Sequence, residues 1–249
     1  WWPPTDNDLG REWGGADPRP LATQWKDAGL DRLHARLLGI SAESTDGGGE
    51  HLRVSTRVAA ADKQFGVLVD YVWTSSDGAL ALRTQVKPVG DWVNAGFDVE
   101  WARIGLELVL GTETGSVGWF GQGPHQSYPD TGQGARTGWF ESTPADLDVD
   151  YVRPQECGAR SGVRSAVLET GGRQLGISGE PFALTVRPYG LDVLAAAQHR
   201  PDLATDGRTY IYLDTALRGV GTAACGPGVL EPYRLKPREA DFELVLRVE

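Results

Sequence analysis

The sequence predicts an all-β protein, a large antiparallel β-sandwich, and three observations carry that expectation. Short runs rich in β-branched and aromatic residues alternate with polar positions through most of the chain, the period-2 pattern of half-buried strands. Explicit turns separate the runs, as at Asp46-Gly47-Gly48-Gly49, Ser76-Asp77-Gly78 and Gly171-Gly172, where glycine supplies the positive φ of tight connections. Helical character is confined to two short segments.

Taken in order, the first helix is expected over residues 20–28, opened by Pro20, whose fixed φ suits a first turn. Strands follow over 51–60, 64–75, 79–88 and 103–110. Residues 111–160 break the pattern: they are rich in glycine, proline and aromatics, with little alternation beyond Gly118-Trp119-Phe120-Gly121. Long irregular segments inside a compact domain tend to carry function. Strands resume over 182–187, 208–213 and 242–248, with a helix over 189–198 whose Leu191, Leu194 and Ala195 share a face. The 33 glycines and 15 prolines have no period, and residues 1–249 are expected to form one domain.

Composition excludes several functions. A net charge of -10 opposes a nucleic-acid role, because binders of that class concentrate Lys and Arg against phosphates. Two cysteines, Cys157 and Cys225, are too few for a disulfide scaffold. There is no apolar run of about 20 residues to span a membrane and no charged-then-apolar leader pattern. A cytoplasmic protein is the expectation. The chain has no methionine and opens on Trp1-Trp2-Pro3-Pro4, which reads as an excised or processed piece.

Several residues invite chemistry, and each has a plainer reading. Asp6, Asn7 and Asp8 place oxygens close together, but no glycine or closing glutamate stands at the offsets of a calcium loop, so a turn held by side-chain hydrogen bonds is expected and no metal site. Tyr128, Asp130, Glu156 and Arg160 fall in or beside the irregular segment, where such groups more often tie loops together than catalyse. His199 with Asp202 could serve as an acid/base pair, yet a lone histidine after a short helix more often caps it or bonds a carbonyl. Trp119, Trp139 and the other tryptophans, nine in all, are expected mostly in the core.

Four stretches, in order and spanning nearly the whole chain, resemble the carboxy-terminal domain, the small-chain type, of the glycoside hydrolase family 2 β-galactosidases. They are Pro4-Thr5-Asp6-Asn7-Asp8-Leu9-Gly10 with Trp25-Lys26-Asp27-Ala28-Gly29; Gly121-Gln122-Gly123-Pro124-His125-Gln126-Ser127-Tyr128-Pro129-Asp130; Tyr151-Val152-Arg153-Pro154-Gln155-Glu156-Cys157-Gly158-Ala159-Arg160; and His199-Arg200-Pro201-Asp202-Leu203 running into Tyr212-Leu213-Asp214 and Arg218-Gly219-Val220-Gly221. The resemblance implies a galactose-mutarotase-like sandwich. Gln126, Thr131 and Cys157 depart from the family pattern, the first two standing where relatives carry a carboxylate and a guanidinium. Thr222-Ala223-Ala224-Cys225-Gly226-Pro227 replaces a segment whose tryptophan lines the sugar site in many relatives.

By the same resemblance Gly10 stands at the base of a loop, residues 11–19, that moves over the galactosyl site, and Cys225 and Gly226 sit where the lost indole would leave the leaving-group pocket wider. Retaining hydrolysis needs two carboxyl groups about 5–5.5 Å apart, and no stretch of this chain resembles the family's glutamate segments, which lie in a TIM barrel upstream. The implied function is therefore an accessory wall of a galactoside site, inactive alone, with no catalytic residue and no cofactor in residues 1–249. Mg2+ and Na+ or K+ would belong to other domains of a homo-oligomeric parent, whose barrel and β domains, with the galactoside, would be the partners. A free-standing carbohydrate-binding module and a mutarotase-like enzyme remain as alternatives.

Overall fold

The computed structural model describes residues 1–10, 19–44, 50–92, 99–221 and 228–249. A single turn of helix, α1 (Asp6–Leu9), precedes α2 (Leu21–Ala28), which starts after Pro20 and stops at Gly29. Among the described residues eleven strands follow: β1 (His34–Ser44), β2 (Glu50–Ala59), β3 (Gly66–Ser76), β4 (Ala79–Val89), β5 (Arg103–Leu110), β6 (Thr114–Gly123), β7 (Arg136–Ser142), β8 (Arg160–Thr170), β9 (Arg173–Arg187), β10 (Thr209–Leu217) and β11 (Ala240–Val248). Two further helices are short, α3 (Pro144–Leu147) and α4 (Leu191–Ala196).

All pairings are antiparallel, in the order β1-β2-β3-β4-β11-β9-β8-β6-β7, with β10 joining β9 to β5. The 15-residue β9 makes the sandwich. Its first half, Leu175–Gly179, pairs with β11, and its second half, Ala183–Arg187, pairs with β10. The sheet thus divides at β9 into a layer running through β11 to β1 and a layer of β10 and β5. Ile211 and Leu213 of β10 share one apolar cluster with Phe242 and Leu244 of β11, which places the core between the layers. A second cluster gathers Trp2, Trp25, Trp92, Trp101 and Tyr128 beside it. Trp119 is buried as expected, whereas Trp139 is 57% exposed.

The expected all-β sandwich is therefore the observed one, and all seven expected strands are present. Four strands were not expected. Residues 111–160, read as irregular, contain β6 and β7, whose glycines hide the alternation: a Cβ on Gly118 would stand 2.9 Å from the Trp139 ring across the ladder, so an aromatic ring fills the place of the missing side chain. β1 carries a register shift between Leu37 and Gly39, which moves its apolar residues from odd to even positions and erases the period.

Candidate functional site

The site is assembled around α1. Thr5 caps it reciprocally: its hydroxyl accepts from the Asp8 N–H at 3.2 Å, and Asp8 Oδ2 accepts from the Thr5 N–H at 2.9 Å. Asp8 is buried, takes a third hydrogen bond from Trp2 Nε1 at 2.9 Å, and meets Arg218 Nη1 at 3.3 Å. Arg218 is held in turn by Glu100, Nε to Oε2 at 2.6 Å. Asp6 turns the other way, toward Gln155 (3.1 Å) and Arg153 (3.4 Å). Asp6 and Asp8 thus serve different partners, and no group of three acidic, His or Cys side chains suited to a metal occurs among the described residues.

Asn7 points to a third neighbour. Gly221 has φ +81°, and a Cβ there would lie 2.3 Å from the Asn7 side chain, so only glycine fits both the backbone and the space. Asp130 fixes the same stretch of chain: its Oδ1 accepts from the Val220 N–H at 3.1 Å and its Oδ2 from the Gly221 N–H at 2.7 Å. A carboxylate clasping two successive main-chain donors is a charge-assisted pair, stronger than neutral hydrogen bonds. Asn7, Gly221, Tyr128, Gln126, Tyr151 and Gln155 contribute to the walls of one cleft of about 220 Å³. Gln126 braces it, accepting from the Gly158 N–H at 2.9 Å and donating to the Tyr151 hydroxyl at 3.0 Å. Thr131, another departure from the family pattern, accepts from the Tyr128 N–H at 3.4 Å.

Beneath the cleft lies a buried ionic layer. Glu156 Oε1 accepts from the Tyr128 hydroxyl at 2.8 Å and from Arg103 Nη2 at 3.1 Å, and its Oε2 is 3.2 Å from Arg187. Burial drives its carboxyl upward, but the guanidiniums of Arg187 and Arg103 prevail and hold it below the usual range, so it is a fixed anion. Asp214, 3.5 Å from Arg103, goes the other way: burial dominates and pushes it up to about 7, with Arg103 opposing. Burial also raises the Tyr128 hydroxyl far above its ordinary value, with Glu156 adding to the effect. Glu156 and Tyr128 are thus each held in one protonation state at neutral pH, whereas Asp214 titrates there.

Among the residues singled out from the sequence, Tyr128, Asp130 and Glu156 come together here. Arg160 ties loops together without pairing with Glu156: it donates to the carbonyls of Leu147 (2.5 Å), Gly158 (2.7 Å) and Pro124 (3.3 Å). His199 and Asp202 form an exposed turn of their own, Asp202 Oδ2 accepting the N–H groups of Gln198 and His199 at 2.9 and 2.8 Å. Gly10 closes α1 with ordinary extended backbone, φ -74°, its N–H bonded to the carbonyls of Asp6 and Asn7. Residues 11–18, most of the expected moving loop, lie outside the described residues, as do Cys225 and Gly226. Sequence reasoning missed Arg103, Arg187 and Arg218 as site-building groups. For Arg103 and Arg187 the available signal was an arginine opening or closing a strand, and Arg218 stands one residue beyond β10.

Comparison with known proteins meets this geometry with a match along its whole length. The family described as "Beta galactosidase small chain" matches residues 1–246. The chain belongs to that family. Among curated relatives, this small chain is 36% identical over 268 residues to a β-galactosidase of Arthrobacter sp. (strain B7), and 32% identical over 254 residues to one of Kluyveromyces lactis. Each alignment takes in 100% of the small chain but only 25% and 23% of the relative, so the chain spans about a quarter of their length. Solved structures with a partial likeness include the galactosidase domain of an α-galactosidase-sucrose kinase (11% identity, TM-score 0.42, covering 87% of this chain and 27% of that one). A putative aldose 1-epimerase from Escherichia coli gives 14% identity and a TM-score of 0.38, covering 85% of this chain and 69% of that one.

Proposed function

We propose that residues 1–249 are the carboxy-terminal accessory domain of a retaining family 2 β-galactosidase acting on terminal β-D-galactosides such as lactose, and that they complete a wall of its site without performing the chemistry. The observation that supports this most is the Asp130 clasp on Gly221, against which the Asn7 side chain packs. Asn7, from the helical turn that ends at Gly10, and Val220 and Gly221 share the wall of the same cleft. Glu156 and Tyr128, each fixed in one protonation state beneath the cleft, suit positioning. The carboxylates at hand do not suit catalysis, because Glu156 is buried and tied to Tyr128, Arg103 and Arg187, and Asp130 is committed to main-chain N–H groups. The acid and nucleophile would come from a barrel elsewhere in the polypeptide, as would any Mg2+ and Na+ or K+. A cytoplasmic homo-oligomer is the setting that fits this reading.

The test uses the full-length enzyme. An indole at position 225 would restore a platform for the leaving-group sugar, with stacking of roughly 0.5–1.5 kcal/mol. Cys225→Trp is therefore expected to let added glucose capture the galactosyl intermediate several-fold better. An active, folded variant that captures glucose no better would defeat the assignment. The 249-residue chain, freed of host enzyme, is expected to hydrolyse no aryl galactoside, and genuine turnover would place the catalytic groups here after all.

A further inference from the structure

Of the described tryptophans only Trp139 is exposed, and Phe120, directly opposite it across the β6–β7 ladder, is 39% exposed. Side chains alternate between the faces of a strand, so their neighbours Trp119 and Phe140 point the other way, into the core. The outward indole does not swing freely. Three atoms of its six-membered ring stand within 3.6 Å of the place a Cβ on Gly118 would take. Glycine weakens a strand interior and marks a close approach, and here it seats the ring.

Polar groups ring the two aromatics. Thr137 and Glu141 lie two positions to either side of Trp139, Gln122 stands opposite Thr137, and Ser165 of β8 stands opposite Phe120, all on the same face and all at least partly exposed. The exposed parts of the two rings amount to roughly 200 Å², since each aromatic side chain carries about 150–250 Å². A stable protein interface takes about 800 Å² per partner, so this patch is too small for one. A cation would call for a cage of rings, whereas these lie side by side on an open sheet. The ligand that fits is a flat ring with an apolar face and hydroxyls around its edge, which is a pyranose. In β-galactose the axial 4-hydroxyl leaves the C–H bonds of C3, C4 and C5 together on one face, the surface an indole accepts.

On the reading that the chain is part of an enzyme acting on galactosides, we propose that Trp139 and Phe120 form a second carbohydrate site, outside the cleft walled by Asn7 and Gly221, that holds galactosyl units of longer galactoside chains. The sugar stacks on the indole, and Thr137, Glu141 and Gln122 take its hydroxyls. β6 carries Phe120 and ends at Gly123, three residues before Gln126 of the cleft wall, so one stretch of chain serves both places. A polymer held on the sheet raises the local concentration of its chain ends near the enzyme.

The test uses the full-length polypeptide, its galactosyl site first blocked by a 2-deoxy-2-fluoro-galactoside that leaves a stable covalent adduct on the nucleophile. Native electrophoresis then compares gels with and without soluble β-1,4-galactan. Galactan is expected to slow the wild type, and Trp139→Ala should raise the apparent dissociation constant about tenfold. Gly118→Ala, which displaces the indole, should weaken binding as well, and Trp139→Tyr should keep part of it. Turnover of an aryl galactoside, measured before blocking, should match the wild type in all three variants and shows that they are folded. A wild type that galactan does not slow, a Trp139→Ala variant slowed as strongly, or equal slowing by a β-1,4-glucan would overturn the proposal. Slow migration in the plain gel that Trp139→Ala abolishes would reveal self-association and overturn it equally. The blocking step separates the two levels of reasoning. No turnover and no blocking defeats the galactosidase reading, whereas a blocked enzyme that ignores galactan defeats only this inference.

Discussion

Replacing Asp130 with alanine should loosen the chain at Val220 and Gly221 while leaving the sandwich intact. The carboxylate supplies two charge-assisted hydrogen bonds, at 3.1 and 2.7 Å, to consecutive main-chain N–H groups. Each such bond is worth about 1.5–3 kcal/mol when its donor is left unsatisfied. Val220 and Gly221 are only partly buried, so water takes over part of the role, and the net loss should be about one bond's worth, not two. At about 1.4 kcal/mol per tenfold, that is a rise in local opening of roughly 10- to 100-fold. Hydrogen–deuterium exchange of the full-length protein, read at the peptide holding Val220 and Gly221, measures it directly. Asp130→Asn keeps one acceptor oxygen and should fall between the wild type and alanine. A change of less than about twofold in Asp130→Ala, with the peptide otherwise protected, would show that the clasp does not hold this segment and would remove the main support for the wall assignment.

Three further outcomes follow from the buried charges. Glu156→Gln removes the anion shared by Arg103 and Arg187 and leaves Arg103 only Asp214, and urea denaturation should report a loss of about 3–5 kcal/mol; a loss under 1 kcal/mol would contradict the ionic layer. Asp214, pushed up to about 7, binds its proton more tightly folded than unfolded, so it costs stability progressively as pH rises from about 4 to 7 and no further above that. Asp214→Asn should flatten that slope, by at most about 4 kcal/mol over the window, and an unchanged pH profile of the melting temperature would refute the shift. The Cys157 thiol, buried beside Asp148 and pushed up to about 12, should resist iodoacetamide at pH 8 in the native protein and react on unfolding; labelling at the rate of a free thiol would contradict its burial.

Where one face of a strand meets the core and the pattern is unbroken, the sequence showed the strand with its ends: residues 103–110 are the observed β5, and 79–88 fall one short of β4. It hid strands whose period is interrupted for a structural reason, the bulge after Leu37 in β1 and the aromatic-covered Gly118 in β6. The site divides in the same way. Asp130 stood out as a polar residue in an irregular segment, but its partners are backbone N–H groups about 90 residues away, which carry no side-chain signal. Glu156 drew attention for the nearby Arg160, yet its actual cations come from the start of β5 and the end of β9, a proximity that only the strand order creates.

The long β9 has a consequence for how the molecule comes apart. Because its two halves belong to different layers, neither layer can peel away as a separate unit: freeing Leu175–Gly179 from β11 disturbs the strand that also carries Ala183–Arg187 on β10. Arg187, which closes the strand, is a partner of Glu156, so the ionic layer beneath the cleft is tethered to the same element. Melting of the two layers and loss of order at the cleft should therefore coincide in a single cooperative step, with the loops fraying first and β9 among the last segments to exchange its amide protons.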